Sequence, residues 1–122
     1  MGNLTASLED YLEVICNHTN TDKTIRAIDI SKELNVSRAS VTEALKKLAI
    51  KGYINYGRYD TISLTPNGKE IAESIVSKHT ILQTFFEKKL GLSEEEASLN
   101  ACRIEHVITD NAFCKISEYI NR

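Results

Sequence analysis

No run of apolar residues approaches the roughly 18 that a membrane-spanning helix requires, which argues against a helical membrane protein. A secretory signal is missing too, since Met1-Gly-Asn-Leu-Thr5 has neither a basic start nor an apolar stretch, and a cytoplasmic protein is expected. Cysteine is scarce: Cys16, Cys102 and Cys114 are odd in number and widely spaced. In a reducing compartment this speaks against a disulfide framework and leaves each cysteine as core or ligand. Internal repeats, low-complexity stretches and long linkers are absent, as is any nucleophile–base pair or substrate-pocket motif, so neither an enzyme nor a small-molecule substrate is expected. What remains is 122 residues, 42% hydrophobic and 26% charged, the composition of a small soluble globular protein rather than a disordered one.

The net charge of −2 decides little, but its distribution is uneven. Between Lys23 and Lys69 there are nine Lys and Arg against four Asp and Glu, whereas the remainder carries six against thirteen. A basic middle between acidic flanks suits a chain in which one region meets phosphate and another collects cations.

Apolar spacing predicts a first helix from about Thr5 to Asn17, with Leu8, Leu12, Ile15 and Cys16 on one face and Ser7 with Asp10 as a capping pair. His18 at its end favours the helix dipole. A short helix follows over Ala27–Leu34, stopped at Asn35, and Ser37 is placed to cap the next, Arg38 to about Lys51, which ends at Gly52. Two alternating runs, Tyr53–Tyr56 and Thr61–Leu64, flank Gly57-Arg58-Tyr59-Asp60 and predict a small hairpin. Thr65 and Pro66, the sole proline, open a helix that continues to about Leu90 before Gly91. Ser93 with Glu96 starts another to about Val107, and Asp110 caps a last one with Phe113, Ile116 and Ile120 as its apolar stripe. Cys16 and Cys114 lie on apolar stripes and read as core.

Helix, short helix, tight turn, helix and two-stranded hairpin, in that order, describe a winged helix-turn-helix. A recognition helix needs an apolar face to seat it and a polar face of short and basic side chains to enter the major groove of double-stranded DNA. The segment Arg38–Lys51 supplies both: Val41, Ala44, Leu45 and Leu48 on one side, Arg38, Ser40, Thr42, Glu43, Lys46 and Lys47 on the other. Its N-terminus at Ser37–Ser40 can donate backbone N–H groups to phosphate. Arg58 and Tyr59 at the hairpin tip are placed to reach the backbone or the minor groove.

Three segments offer metal donors at helical spacing. Asp10 and Glu13 share a face as i and i+3, and Cys102, Glu105 and His106 do so as i, i+3 and i+4. His79 lies inside a predicted helix beside Ile75, Val76 and Ile81. A soft sulfur mixed with harder nitrogen and oxygen suits a mid-series divalent transition metal better than calcium or magnesium. Each residue alone also has a bland reading: a buried thiol for Cys102, a solvated helix face for Glu105, a core histidine for His79, a dipole-favouring first turn for Asp10 and Glu13.

Taken with Leu8-Glu-Asp-Tyr-Leu-Glu13, Val36-Ser-Arg-Ala-Ser-Val-Thr42, Leu64-Thr-Pro-Asn-Gly-Lys69 and above all Ala101-Cys-Arg-Ile-Glu-His106, these residues resemble the iron- and manganese-dependent transcriptional repressors, the family of the diphtheria toxin repressor and the manganese transport regulator. The resemblance covers nearly the whole chain. It implies a mainly α protein: a winged helix-turn-helix DNA-binding domain over 1–69, then an all-helical metal-binding and dimerisation domain over 70–122. It implies a homodimer on a palindromic operator, controlled by one or two Fe2+ or Mn2+ ions per subunit. The family's metal positions correspond to Asp10, Glu13, His79, Cys102, Glu105 and His106. Three departures mark this chain. Asp10 resembles the manganese branch, where the iron branch has a thioether, while Cys102 resembles the iron branch, where the manganese branch has a carboxylate. Gln83 and Ser98 stand where the iron branch has ancillary ligands, which argues against that ancillary site. With the sequence running to Arg122, a two-domain form without an SH3-like third domain is expected. The alternative expectation is a winged-helix regulator that senses an oxidant, through Cys102, or a small molecule, without metal.

Overall fold

The structure, a computed structural model, describes residues 4–19, 25–57, 59 and 61–121. Six helices and one hairpin follow in the order α1 (Ala6–Thr19), α2 (Ala27–Leu34), α3 (Arg38–Ile50), β1 (Ile54–Tyr56), β2 (Ile62–Leu64), α4 (Pro66–Lys88), α5 (Glu94–Ile104) and α6 (Asp110–Ile120). None of these helices is long and apolar enough to cross a membrane. The chain divides into two compact units, one ending at Glu73 and the other beginning at Ser74, so the division falls within α4.

In the first unit, α1 packs on α2, α3 and β2, and α3 packs on α2 and β1. Leu12, Ile15, Ile30, Val41, Leu45 and Leu48 are fully buried at the centre. Cys16 is buried there, as its stripe predicts. Asn35 takes the left-handed conformation, φ 56°, that stops α2, and the Ser37 hydroxyl accepts the Ser40 N–H at 3.1 Å to start α3. The three residues between the two helices make the tight turn of a helix-turn-helix. The strands pair antiparallel with Ile54 opposite Leu64 and Tyr56 opposite Ile62, each beginning one residue later than the alternation predicts. Arg58 lies outside the described residues.

Two expected caps are corrected. Thr5, not Ser7, caps α1: its hydroxyl accepts the Leu8 N–H at 3.1 Å, and Ser7 falls within the first turn. Thr109, not Asp110, caps α6, accepting from the Ala112 N–H at 3.2 Å, which leaves Asp110 as a first-turn acid favoured by the helix dipole. In both cases threonine sits one or two positions ahead of the acid or serine, and at Thr109 the extended backbone of a cap is seen directly, φ −72° and ψ 154°. His18 does more than meet a dipole, since its Nε2 lies 2.8 Å from Glu33 Oε1 on α2.

Thr65 organises the start of α4. Its N–H donates to the Tyr53 carbonyl at 3.1 Å, its hydroxyl donates to the Gly52 carbonyl at 2.6 Å and also accepts the Gly68 N–H at 3.0 Å. Gly68 is required here because a Cβ would collide with the Tyr53 carbonyl oxygen.

The second unit is the rest of α4 with α5 and α6. Leu82, Ala97 and Ala101 are fully buried. Phe85 meets Phe86 and Tyr119 edge-on, and Lys78 and Lys89 lie over the Phe113 and Tyr119 rings at 5.5 and 5.1 Å. Along α6, Phe113, Ile116 and Ile120 are half-buried and no residue is fully buried. Cys114, expected as core, is exposed.

Candidate metal centre

α5 ends at Ile104, earlier than its apolar spacing suggests. Glu105 follows as the helix cap with helical dihedrals, and its N–H still donates to the Ala101 carbonyl at 2.9 Å. His106 sits in the turn beyond. The i, i+3, i+4 geometry therefore survives, so that Cys102, Glu105 and His106 project from one side of the last turn. One donor atom from each of these three lies within 4.8 Å of the others.

His79, on α4, is brought to the same carboxylate from the other side. Its Nδ1 lies 2.7 Å from Glu105 Oε1, while His106 Nε2 lies 3.5 Å from Glu105 Oε2. The Glu105 side chain is 1% exposed, and its Oε2 has no hydrogen-bond partner among the described residues. A buried carboxylate is costly unless it is paired and hydrogen-bonded at both oxygens, and this one is satisfied at only one. A divalent cation would meet that need: the orphaned oxygen, two imidazoles and a thiol that keeps access to solvent form a donor set of the right types. Glu105, shared between His79 on one side and Cys102 with His106 on the other, is the hub. Asp10 and Glu13 stand on one face of α1, both half-buried.

On the DNA side, Ser37, Arg38, Ser40, Glu43, Lys46 and Lys47 are exposed, Thr42 is half-buried, and Tyr59 is 91% exposed with φ 63°. Ser40, Glu43 and Lys47 share a cleft with Thr5, the cap of α1, and with Ser7 and Tyr11 of α1. The place of these residues beside α3 is not legible in the sequence, because only the packing of α1 across α3 brings them there. Lys47 Nζ is 3.6 Å from Glu43 Oε1.

The sequence matches two family models in succession. Residues 3–62 match the N-terminal DNA-binding domain of iron-dependent repressors, and residues 65–122 match their metal-binding and dimerisation domain. An uncharacterized HTH-type transcriptional regulator of Methanocaldococcus jannaschii is 35% identical over 98% of this chain and 96% of its own length. The HTH-type transcriptional regulator MntR of Oceanobacillus iheyensis is 33% identical over 96% of this chain and 79% of its own. The structure of the manganese regulator SloR superposes with a TM-score of 0.85 and 26% identity, covering 97% of this chain but only 55% of that longer one. A mainly helical fold, a helix-turn-helix with its wing and two family models that together span nearly every residue agree: the chain belongs to the iron-dependent repressor family of metal-dependent, DNA-binding transcriptional regulators.

Proposed function

We propose that this chain is a cytoplasmic homodimeric repressor that binds a palindromic operator when it carries Fe(II) or Mn(II), and that it has no enzymatic activity. The observation that carries this reading is Glu105, buried beside His79, His106 and Cys102 with an oxygen left without a hydrogen bond. The bound cation supplies positive charge that makes burial of these donors favourable. His79, Cys102, Glu105 and His106 form the core site, and Asp10 and Glu13 complete it or a second site next to it. Glu105, with His79 beside one oxygen and His106 beside the other, would be the central carboxylate holding the cation. A ligand set drawn from α1 as well as α4 and α5 ties residues 1–69, the DNA-binding part, to 70–122, the dimerising part. Only a higher affinity of metal for the DNA-competent arrangement can drive the switch.

The metal preference follows from two opposed donors. The thiolate of Cys102 favours Fe(II) or a later metal, whereas carboxylates at Asp10 and Glu13 favour Mn(II). That SloR is described as a manganese regulator supports keeping Mn(II) beside Fe(II). On the DNA side, Arg38, Ser40, Thr42 and Glu43 read or flank bases, Ser37 presents the α3 N-terminus to phosphate, and Lys46, Lys47, Arg58 and Tyr59 hold the backbone or the minor groove.

Anaerobic titration of the apoprotein with Mn(II) and with Fe(II), read out by operator binding, tests the reading. Metal-dependent binding that is lost in Glu105→Gln is expected. DNA binding indifferent to metal but lost on oxidation would instead favour a redox regulator switched at Cys102. Hydrolase and redox screens with added metal should stay blank.

A further inference from the structure

The buried face of α3, made by Val41, Ala44, Leu45 and Leu48, fixes which residues point away from the protein. Opposite it lie Ala39, Glu43, Lys46 and Ile50, at spacings of four, three and four, all exposed. Glu43 is the only acidic residue in α3, and 72% of its side chain is exposed. Its contact with Lys47, 3.6 Å and open to solvent, contributes too little to explain a carboxylate here. Against DNA that carboxylate meets a polyanion, and it is accommodated in the major groove only where a base edge offers a hydrogen-bond donor.

An ionised carboxylate can only accept. In the major groove, guanine shows N7 and O6 acceptors, and thymine shows an O4 acceptor beside its methyl group, so neither offers a donor. Adenine offers its N6 amino group, but N7 lies beside it and repels the second carboxylate oxygen. Cytosine offers its N4 amino group with only C–H at its side. We infer that Glu43 is a specificity-determining residue of this protein, accepting a hydrogen bond from the N4 amino group of a cytosine in each operator half-site. The inference rests on α3 being the recognition helix of the proposed repressor. Lys47, one turn on and toward the α1 side, is free to exchange its weak pairing with Glu43 for a phosphate oxygen when the helix docks.

The test is selection from a pool of DNA duplexes with randomised positions, using the full chain with Mn(II) and, in parallel, Fe(II). The parent, Glu43→Gln and Glu43→Ala are compared. The parent should enrich a C·G pair at one position of each half-site by about fivefold or more over the other pairs. Glu43→Gln should move that position to A·T, because an amide pairs with adenine N6 and N7 together. Glu43→Ala should lose preference there and keep it elsewhere. If all three select the same base at every position, Glu43 reads no base and the inference is wrong, while the selected palindrome leaves the repressor reading intact. Tighter binding of Glu43→Gln to all duplexes with unchanged preference would likewise overturn it, assigning Glu43 only a repulsive charge. If the parent enriches nothing with either metal, the repressor reading itself fails, and this inference with it.

Discussion

At the residue scale, Glu105 is the position with the most at stake. One oxygen is held by His79, and the other is buried, 3.5 Å from His106 and without a hydrogen bond. Glu105→Gln keeps the shape but removes the charge that a cation requires, so Mn(II) affinity measured by calorimetry should fall by at least about tenfold and metal-dependent operator binding should disappear. Cys102→Asp should retain metal binding and shift selectivity toward Mn(II), in the direction of harder donors. If Cys102→Ala binds metal and operator as well as the parent, the thiol is not a ligand. The parent's affinity should fall as pH drops, because a ligating thiol must lose its proton. A different residue, Tyr11, contributes to stability at alkaline pH. Burial raises the Tyr11 phenol above its ordinary pKa of 10.0. The folded protein therefore holds the proton after the unfolded chain has begun to lose it. The stabilisation is complete below the unfolded pKa and is lost as pH rises through the folded one. Denaturant melts of Tyr11→Phe should show a shallower loss of stability above pH ~10 than the parent.

At the element scale, the start of α4 is the tightest joint described. Thr65 binds Gly52, Tyr53 and Gly68 at once, and Gly68 runs against the Tyr53 carbonyl with no room for a methyl group. Gly68→Ala should cost about 3 kcal/mol or more, because backbone on both sides must shift, and a urea melt measures it. Asn67→Ala, a neighbouring exposed position on the same first turn, should stay within about 0.5 kcal/mol. On α3, Lys47 is exposed beside the α1 cleft, where a phosphate strand can pass. Lys47→Ala should weaken binding to all sequences alike and flatten the slope of log affinity against log salt by about one charge. An unchanged slope would remove Lys47 from the interface.

At the scale of the whole molecule, the apolar stripe of α6 bears on how many chains make the functional unit. The helix keeps Phe113, Ile116 and Ile120 only half-buried within one chain, although Lys78 and Phe85 of α4 and Lys89 just beyond it meet its aromatic rings. Leu99 and Val107 add exposed apolar surface in the same unit. The family's second domain is a dimerisation domain, and a second copy would cover such surface. Sedimentation at micromolar concentration should therefore report a dimer, and Ile116→Asp should give a folded monomer that retains metal but loses operator affinity. A parent that sediments as a monomer with and without metal would reject the dimeric repressor.

The sequence by itself determined the order of elements, because apolar period, proline and glycine act locally. Asn35, Ser37, Thr65 and Ser93 stand at the helix ends that their side chains predict. It also made Cys102, Glu105 and His106 legible as one group, since spacings of three and four residues place side chains together on any helical turn. Caps were less legible where two candidates stood close together, as Thr109 and Asp110 do, because the extended backbone that selects one is not a property of either residue. What only the tertiary structure decided was long-range. His79 meets Glu105 across 26 residues, and His18 meets Glu33 across 15. The packing of α1 on α3 brings Ser40, Glu43 and Lys47 to the edge of a cleft, with Glu43 more exposed than Lys47. Burial of the Glu105 side chain, with one oxygen lacking a hydrogen bond among the described residues, is what turns a plausible donor into a position where a cation would supply the missing partner. Desolvation depends on what surrounds a group from every direction, and a sequence records its neighbours in only one.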